Sequence, residues 1–203
     1  ISFISPLLGI NEPLTVIQIL WVNLVMDTLA ALAFGGEPAL KRFMKEKPKK
    51  RSESIVSKNM WTSIITGSLW MVLLGIILLI FTPVQKIFVD GASTDKLFSM
   101  PNFSDDNYLV LGTAFFAFFI FSAVFNAFNA RTDKINLFEN INGNKGFLKI
   151  LAIIAVIQVA MTYLGGSILR CHGLDAVQWL VVLGMAISII PVDLLRKVIM
   201  KNK

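Results

Sequence analysis

The chain has 203 residues, of which 55% are hydrophobic and only 16% are charged. Soluble domains carry about 25% charged residues, and a soluble core of this length could not bury so much apolar surface. The mean hydropathy of +0.70 therefore indicates a membrane protein. The net charge of +6 does not indicate nucleic-acid binding, because no nucleic-acid module is visible and the basic residues are grouped between apolar segments.

Five long segments carry no charge or a single charge, and each is close to the ~20 residues that a helix needs to cross ~30 Å of hydrocarbon. Backbone groups in lipid must be hydrogen-bonded internally, which leaves helices or closed barrels. The runs Met71–Phe81 and Leu109–Phe125 do not alternate in polarity as barrel strands do. The sequence therefore predicts an all-α, polytopic transmembrane helical bundle with spans at about residues 14–35, 60–82, 108–130, 148–166 and 176–195.

The chain starts with an apolar segment, Ile1–Leu8. We interpret residues 1–12 as the tail of a preceding span with an outside loop, and residues 13–203 as one transmembrane domain. A short ordered loop is the alternative interpretation of Ile1–Leu8.

The first span contains Asn23 and Asp27, whose spacing of four residues places them on one face of an α-helix. A carboxylate near mid-membrane costs at least ~2.5 kcal/mol, so it needs a partner, a proton, water or a bound ion. Carboxylate and amide oxygens are ligands that a hard cation such as calcium takes, in a set of about 6–8 oxygens. An ion site completed by other groups and a polar pair that only joins helices are equally open at this point.

Most of the 19 Lys and Arg residues lie in the segments that follow the first, third and fifth spans. The exceptions are Lys86, Lys96 and Arg170. The positive-inside rule therefore predicts that these segments, and the C-terminus, are cytoplasmic. The run Lys41–Arg51 marks that side, and it could also contact anionic membrane lipid or a soluble partner.

The later spans contain a few polar residues with structural interpretations. Gln158 in the fourth span is expected to form a hydrogen bond to a neighbouring helix. Pro191 is expected to kink or loosen the fifth span. Asp193, with Arg196 and Lys197 close by, predicts an ion pair at the membrane interface.

The stretch WVNLVMDTLAALAFGGEP, Trp21–Pro38, resembles the sixth transmembrane helix of P-type calcium-transporting ATPases. It most resembles the plasma-membrane type, with the secretory-pathway calcium/manganese type next. FNAFNAR, Phe125–Arg131, is similar to the end of the family's eighth helix, and YLGGSI, Tyr163–Ile168, and the pair Gln178–Trp179 fit the ninth and tenth. The resemblance implies that the chain is the C-terminal membrane half of such a pump.

In that family an aspartate and an asparagine of the sixth helix coordinate the transported ion, which implies that Asp27 and Asn23 are metal ligands. A glutamate and carbonyl groups of the fourth helix complete the family's site. Pumps of the sarcoplasmic-reticulum type hold a second calcium with a threonine just before the aspartate and a glutamate on the eighth helix. Here Met26 takes the threonine position, and Phe115–Phe125 contains no acid. One calcium ion per cycle is therefore implied.

The motifs Asp-Lys-Thr-Gly-Thr, Thr-Gly-Glu-Ser and Gly-Asp-Gly-x-Asn-Asp are absent. The resemblance therefore assigns phosphorylation, ATP and Mg²⁺ to upstream domains of a parent enzyme, and this piece alone should contain no catalytic residue and hydrolyse no ATP. The expected partners are membrane lipid, calcium as the transported ion, and the remaining helices and cytoplasmic domains of the pump. The expected location is the plasma or inner membrane.

Other functions would use the same residues differently. A secondary cation transporter or channel could use Asp27 as a proton relay, although such proteins often contain internal repeats and none is visible here. A pump specific for manganese would use similar ligands. A structural membrane module would use Asn23 and Asp27 only to join helices.

Overall fold

A computed structural model describes residues 12–37, 54, 56–91, 96–132, 134–139 and 141–201. Apart from Glu12, the predicted tail in residues 1–12 lies outside this part of the chain, and so does the basic run Lys41–Arg51. Five helices in the described part are long and apolar enough to cross a membrane, so the predicted all-α fold with five spans is confirmed. They are α1 (Val16–Gly35), α2 (Lys58–Ile80), α3 (Asp106–Arg131), α4 (Lys145–Leu164) and α5 (Ala176–Met200).

Three of these helices are not regular α-helices along their whole length. α1 contains a π-helical turn, Val22–Asp27, and the first turn of α3 is a 3-10 helix, Asp106–Tyr108. α5 is divided at Ser188. The division lies one turn before Pro191, whose ring lacks an N–H donor and crowds the carbonyl four residues earlier. Short helices also occur at Thr82–Gln85, Ile141–Gly143 and Gly166–Leu169.

Polar side chains cap the first turns of the long helices. The Thr15 hydroxyl accepts a hydrogen bond from the Gln18 amide at 3.2 Å, and the Gln18 side chain accepts one from the Thr15 amide at 2.9 Å. Asp175 and Gln178 form the same capping box at the start of α5. These reciprocal bonds satisfy backbone donors that a helix start leaves unpaired, so they fix where α1 and α5 begin. The caps of α2 and α4 are Ser57 and Asn144.

α3 is the central helix of the bundle. Of its most apolar stretch 61% is buried, whereas the value is 28% or less in each of the other long helices. Its phenylalanines Phe115, Phe116 and Phe118 are almost completely buried. The surrounding helices expose large aliphatic side chains, which suits an outer surface in contact with lipid tails. Examples are Leu20, Leu24, Leu69, Val156 and Leu180.

α1 and α4 form an antiparallel pair that is joined at both ends. At one end, Gln18 Nε2 donates to the Leu169 carbonyl at 2.8 Å. At the other, Asn144 Nδ2 donates to the Ala33 carbonyl at 3.1 Å. Because both donors are side chains in a buried environment, each bond removes an unpaired polar group from the interior and fixes one end of α1.

α2 and α5 form a second antiparallel pair. Near its middle, Trp70 Nε1 donates to Ser188 Oγ at 2.9 Å, at the point where α5 is divided. At its end, Arg196 Nη1 donates to Asn59 Oδ1 at 3.1 Å. The paired ends show that the start of α2 lies beside the end of α5.

Asp193 forms a buried ion-pair triad with its own helix. Its carboxylate lies 2.6 Å from Arg196 Nε and 3.0 Å from Lys197 Nζ, and all three side chains are 8% exposed or less. Ser63 Oγ of α2 also donates to Asp193 Oδ1, at 3.3 Å. The predicted ion pair is therefore present, and its side chains are buried within the bundle.

The expectation for Gln158 was wrong. The side chain is 1% exposed, and neither atom of its amide group has a hydrogen-bond partner in the described structure. Thr162, one turn along α4, directs its hydroxyl to the Gln158 backbone carbonyl at 2.9 Å and so does not pair with the amide.

Candidate cation site

The two predicted ligands lie in the π-helical turn of α1. Asn23 and Asp27 both fall within Val22–Asp27. The sequence predicted a regular α-helix here, and in that respect the structure differs. Hydrogen bonds in a π-helix run from residue i to i+5, so four residues make slightly less than one turn and the two side chains remain on neighbouring parts of the helix surface. Such turns are rare and occur frequently at functional sites.

Asn23 and Asp27 are both exposed in the described structure. Among the described residues, the ion pairs involve other carboxylates, and no Lys or Arg is paired with Asp27. Within the described chain, the polar pair is therefore not neutralised by a permanent cation. Carboxylate oxygens that pair with no described cation are ligands of the kind that a hard cation takes.

A cleft of about 410 Å³ lies between α1, α2 and α3 beside the π-helical turn. Asn23 of α1 and Ser68 of α2 supply its polar groups, and Phe115 and Phe119 of α3 form part of its apolar wall. Asp27 lies one turn further along α1 and does not line the cleft. The other lining residues are Leu14, Ile19, Val22, Met71 and Val72.

Asn23 and Asp27 can supply part of a calcium ligand set, since calcium takes about 6–8 oxygens. The described residues contain no group of three or more His, Cys, Asp or Glu side chains that could hold a metal ion. Two oxygen-bearing side chains on one helix therefore form one wall of a possible site, and the ligation of a metal by Asn23 and Asp27 stays a prediction.

The positions implied for a second cation are apolar in the structure. Met26 is half-buried and packs against the hydrophobic core. α3 carries no acidic residue from Leu109 to Arg131, and Phe115 and Phe118 lie in that segment. A cation between these helices would meet aromatic and thioether groups, which are poor ligands for a hard ion.

Residues of the motifs that resemble P-type pumps form hydrogen bonds that connect α3, α4 and α5. Tyr163 OH donates to the Leu174 carbonyl at 2.7 Å and accepts a hydrogen bond from Trp179 Nε1 at 2.9 Å. Asn129 Nδ2 donates to the Ile189 carbonyl at 3.1 Å, so this asparagine joins α3 to α5. These three hydrogen bonds connect α3, α4 and α5 and the segment between α4 and α5, and none of them involves a residue of the π-helical turn.

The contact between Glu37 and Arg131 was not predicted from the sequence. Arg131 Nε lies 2.7 Å from Glu37 Oε1, although the two residues are 94 positions apart. Glu37 is the next-to-last residue of the motif Trp21–Pro38, and Arg131 is the last residue of the motif Phe125–Arg131. Their positions at the ends of motifs that resemble P-type pumps were the signal that could have suggested a contact. The pair joins the end of α1 to the end of α3.

Comparison with known protein families decides the classification. The family described as "Cation transporting ATPase, C-terminus" matches residues 11–199. The chain belongs to this family. With five apolar helices of spanning length, this ATPase C-terminal region is an integral membrane protein, and its predicted resemblance to P-type cation pumps is confirmed at the level of the family.

Individual relatives of this ATPase C-terminal region come from fungi and plants. It is 33% identical over 201 residues to calcium-transporting ATPase 2 of Schizosaccharomyces pombe, covering 93% of the chain and 14% of the relative. It is 34% identical over 204 residues to calcium-transporting ATPase 1, plasma membrane-type, of Oryza sativa subsp. japonica, covering 95% of the chain and 18% of the relative. It is 33% identical over 200 residues to calcium-transporting ATPase 10, plasma membrane-type, of Arabidopsis thaliana, covering 98% of the chain and 18% of the relative. The chain thus spans less than a fifth of the length of these relatives.

Proposed function

We propose that the chain is the C-terminal membrane domain of an ATP-driven calcium pump and that Asn23 and Asp27 contribute to a single calcium site in the membrane. The observation that carries the proposal is the π-helical turn in α1, which lies within a helix of spanning length and holds an amide and a carboxylate that pairs with no described cation. The names of the relatives support calcium as the transported ion. ATP and Mg²⁺ act in other domains of the longer protein.

Calcium binds in this proposal as a cargo that bridges two parts of the pump. The Asp27 carboxylate and the Asn23 amide oxygen provide ligands from α1, and groups outside the described chain complete the coordination. A carboxylate without a cation is costly in hydrocarbon, so Asp27 takes up a proton when calcium leaves. Movement of α1 relative to the other helices then opens the site to one side of the membrane at a time.

The contacts at the helix ends support an orientation for the domain. Glu37 at the end of α1 pairs with Arg131 at the end of α3, and Asn59 at the start of α2 bonds to Arg196 near the end of α5. These ends meet on one side of the bundle, and of the described Lys and Arg residues all but Lys86, Lys96 and Arg170 lie towards that side. Under the positive-inside rule, this side and the C-terminus are cytoplasmic.

The decisive experiment replaces Asp27 in the full-length pump. Asp27→Asn removes the charge but keeps the shape, so we expect it to abolish calcium-dependent phosphorylation by ATP while the protein still inserts into membranes. Glu12→Gln is the matched control, because it neutralises an exposed carboxylate just before the same helix and should leave phosphorylation unchanged. Wild-type calcium affinity in Asp27→Asn would refute the proposal.

The same preparations separate the rival functions. Manganese is titrated in parallel with calcium, and stimulation by manganese alone would assign the site to a manganese pump. Cation flux that continues without ATP, and stops in Asp27→Asn, would assign a channel or secondary transporter in which Asp27 is a proton relay. An opposing proton flux is expected if the pump proposal holds.

A further inference from the structure

Arg131 is a buried cation at the meeting point of three parts of the bundle. Its side chain is only 3% exposed, and its Nε atom lies 2.7 Å from Glu37 Oε1, just beyond the end of α1. Burying a charge is costly unless it is paired and its donors are satisfied. The Glu37 carboxylate supplies the pairing charge, so the ends of α1 and α3 are tied by an ionic contact.

The other donors of Arg131 bind the segment between α3 and α4. Nη1 donates to the Leu137 carbonyl at 3.3 Å, and Nη2 donates to the Glu139 carbonyl. The guanidinium carbon also lies 5.6 Å from the ring centre of Phe147 in the first turn of α4. A planar group with five N–H donors and a face that stacks on aromatic rings is specific to arginine, so lysine cannot reproduce this set of contacts.

α1 is fixed at its two ends and has no comparable tie between them. Gln18 bonds to the Leu169 carbonyl near its start, and Asn144 bonds to the Ala33 carbonyl near its end. The side-chain hydrogen bonds between described residues do not include any that tie Asn23 or Asp27 to another helix. The position of the π-helical turn is therefore set by where the ends of α1 are held.

We propose that Arg131 is a positioning residue for the cation site, which it controls through Glu37 and α1. This inference rests on the proposed function of Asn23 and Asp27. The eight helical residues Thr28–Gly35 between Asp27 and Glu37 correspond to about 12 Å of helix, so Arg131 acts on the site through the helix and not by contact. Loss of the tie lets the end of α1 shift and misplaces the Asp27 carboxylate relative to the other calcium ligands.

The test measures the calcium dependence of phosphorylation in the full-length pump. Arg131→Lys keeps a positive charge but loses the guanidinium contacts, and Glu37→Gln removes the ionic partner. Both variants should raise the calcium concentration for half-maximal phosphorylation by at least about fivefold, the lower range of coupling between linked sites. Membrane content and thermal stability are measured in the same samples.

Lys134→Ala is the matched control for these variants. Lys134 pairs with Glu139 at 2.6 Å in the same segment, but the two side chains are 54% and 33% exposed, and neither contacts α1 through this bond. Its removal should leave the calcium dependence unchanged. The double variant Glu37→Gln with Arg131→Lys should be no worse than the more affected single variant, because both changes break one contact.

The outcomes separate this inference from the proposed function. Wild-type calcium dependence in both Arg131→Lys and Glu37→Gln, combined with loss in Asp27→Asn, would overturn the positioning role alone. Unchanged affinity in Asp27→Asn would overturn the proposed function itself. If Arg131→Lys and Glu37→Gln both fail to insert, or if lower stability accounts for the whole shift, the contact is structural and the inference is wrong.

Discussion

Asp193 lies between two cations inside the bundle, and its carboxylate supplies the counter-charge for both. Its carboxylate contacts Arg196 at 2.6 Å and Lys197 at 3.0 Å. Lys197 Nζ also donates to the carbonyls of Asn129 and Thr132, at 3.0 and 2.7 Å. A buried pair contributes little net stability when intact, but removal of one partner leaves an uncompensated charge.

Asp193→Asn should therefore lower the free energy of unfolding by about 3–5 kcal/mol, because Arg196 and Lys197 would remain buried without a counter-charge. Thermal unfolding of the purified full-length protein in detergent measures the change. Glu139→Gln, which breaks the exposed pair with Lys134, is the control and should cost about 1 kcal/mol or less. Equal effects of the two substitutions would contradict the burial argument.

At the scale of the element, α1 combines two α-helical segments with a wider turn between them. The segments are Val16–Trp21 and Thr28–Gly35, and the turn is Val22–Asp27. A π-helical turn amounts to one extra residue inserted into an α-helix. Because hydrogen bonds hold both ends of α1, the extra residue is accommodated in the middle, where Asn23 and Asp27 lie.

Deletion of Leu24 should convert this turn into regular α-helix. Leu24 is 67% exposed, so its side chain contributes little packing, and the deletion changes mainly the register between Asn23 and Asp27. We expect the deletion to abolish calcium-dependent phosphorylation of the full-length pump without loss of membrane insertion. Leu24→Ala retains the length of the turn and should behave like wild type. Normal calcium affinity in the deletion variant would show that the π-helical turn has no role in the site.

At the scale of the whole molecule, two antiparallel pairs surround α3, and their ends define two sides. Cys171, the one cysteine of the sequence, lies between α4 and α5 and is 6% exposed. Burial raises the pKa of its thiol. Since the thiolate is the reactive form, Cys171 should react slowly with maleimides and give a low background in labelling experiments.

Because Cys171 should give little background labelling, the orientation of the chain in the membrane can be tested with single introduced cysteines. Lys86 and Lys134 are both exposed and lie at opposite ends of the bundle. In intact cells a membrane-impermeant maleimide should label Lys86→Cys, whereas Lys134→Cys should be labelled only after permeabilisation, because the basic side is cytoplasmic. The reverse pattern would place the C-terminus outside.

The sequence predicted the five helices well because charge is expensive in lipid, and the charge-free gaps therefore follow the spans closely. It could not predict the π-helical turn. Val22–Asp27 contains no proline or glycine, and its hydrogen-bond register depends on where the ends of α1 are fixed. Gln158 was misjudged for a related reason, since its partner depends on the rotation of α4 against its neighbours.

The candidate site was predicted only in part. Asn23 and Asp27 stood out because polar groups are rare in apolar helices, but the tie between Glu37 and Arg131 joins residues 94 positions apart and follows no local rule. Charges near helix ends have many possible partners. Only the packed arrangement of α1, α3 and α4 shows which partner each charge has.

Three of the contacts between helices share an asymmetry in their chemistry. Gln18, Asn144 and Lys197 each donate from a side chain to a main-chain oxygen of another segment. Every amino acid carries that oxygen, so the receiving positions can change identity without losing the bond, whereas the donating positions cannot. Divergence among related pumps should therefore be limited at the buried Ala33 and Leu169 by packing and not by this bond, whereas the residues that reach across to them must keep a donor.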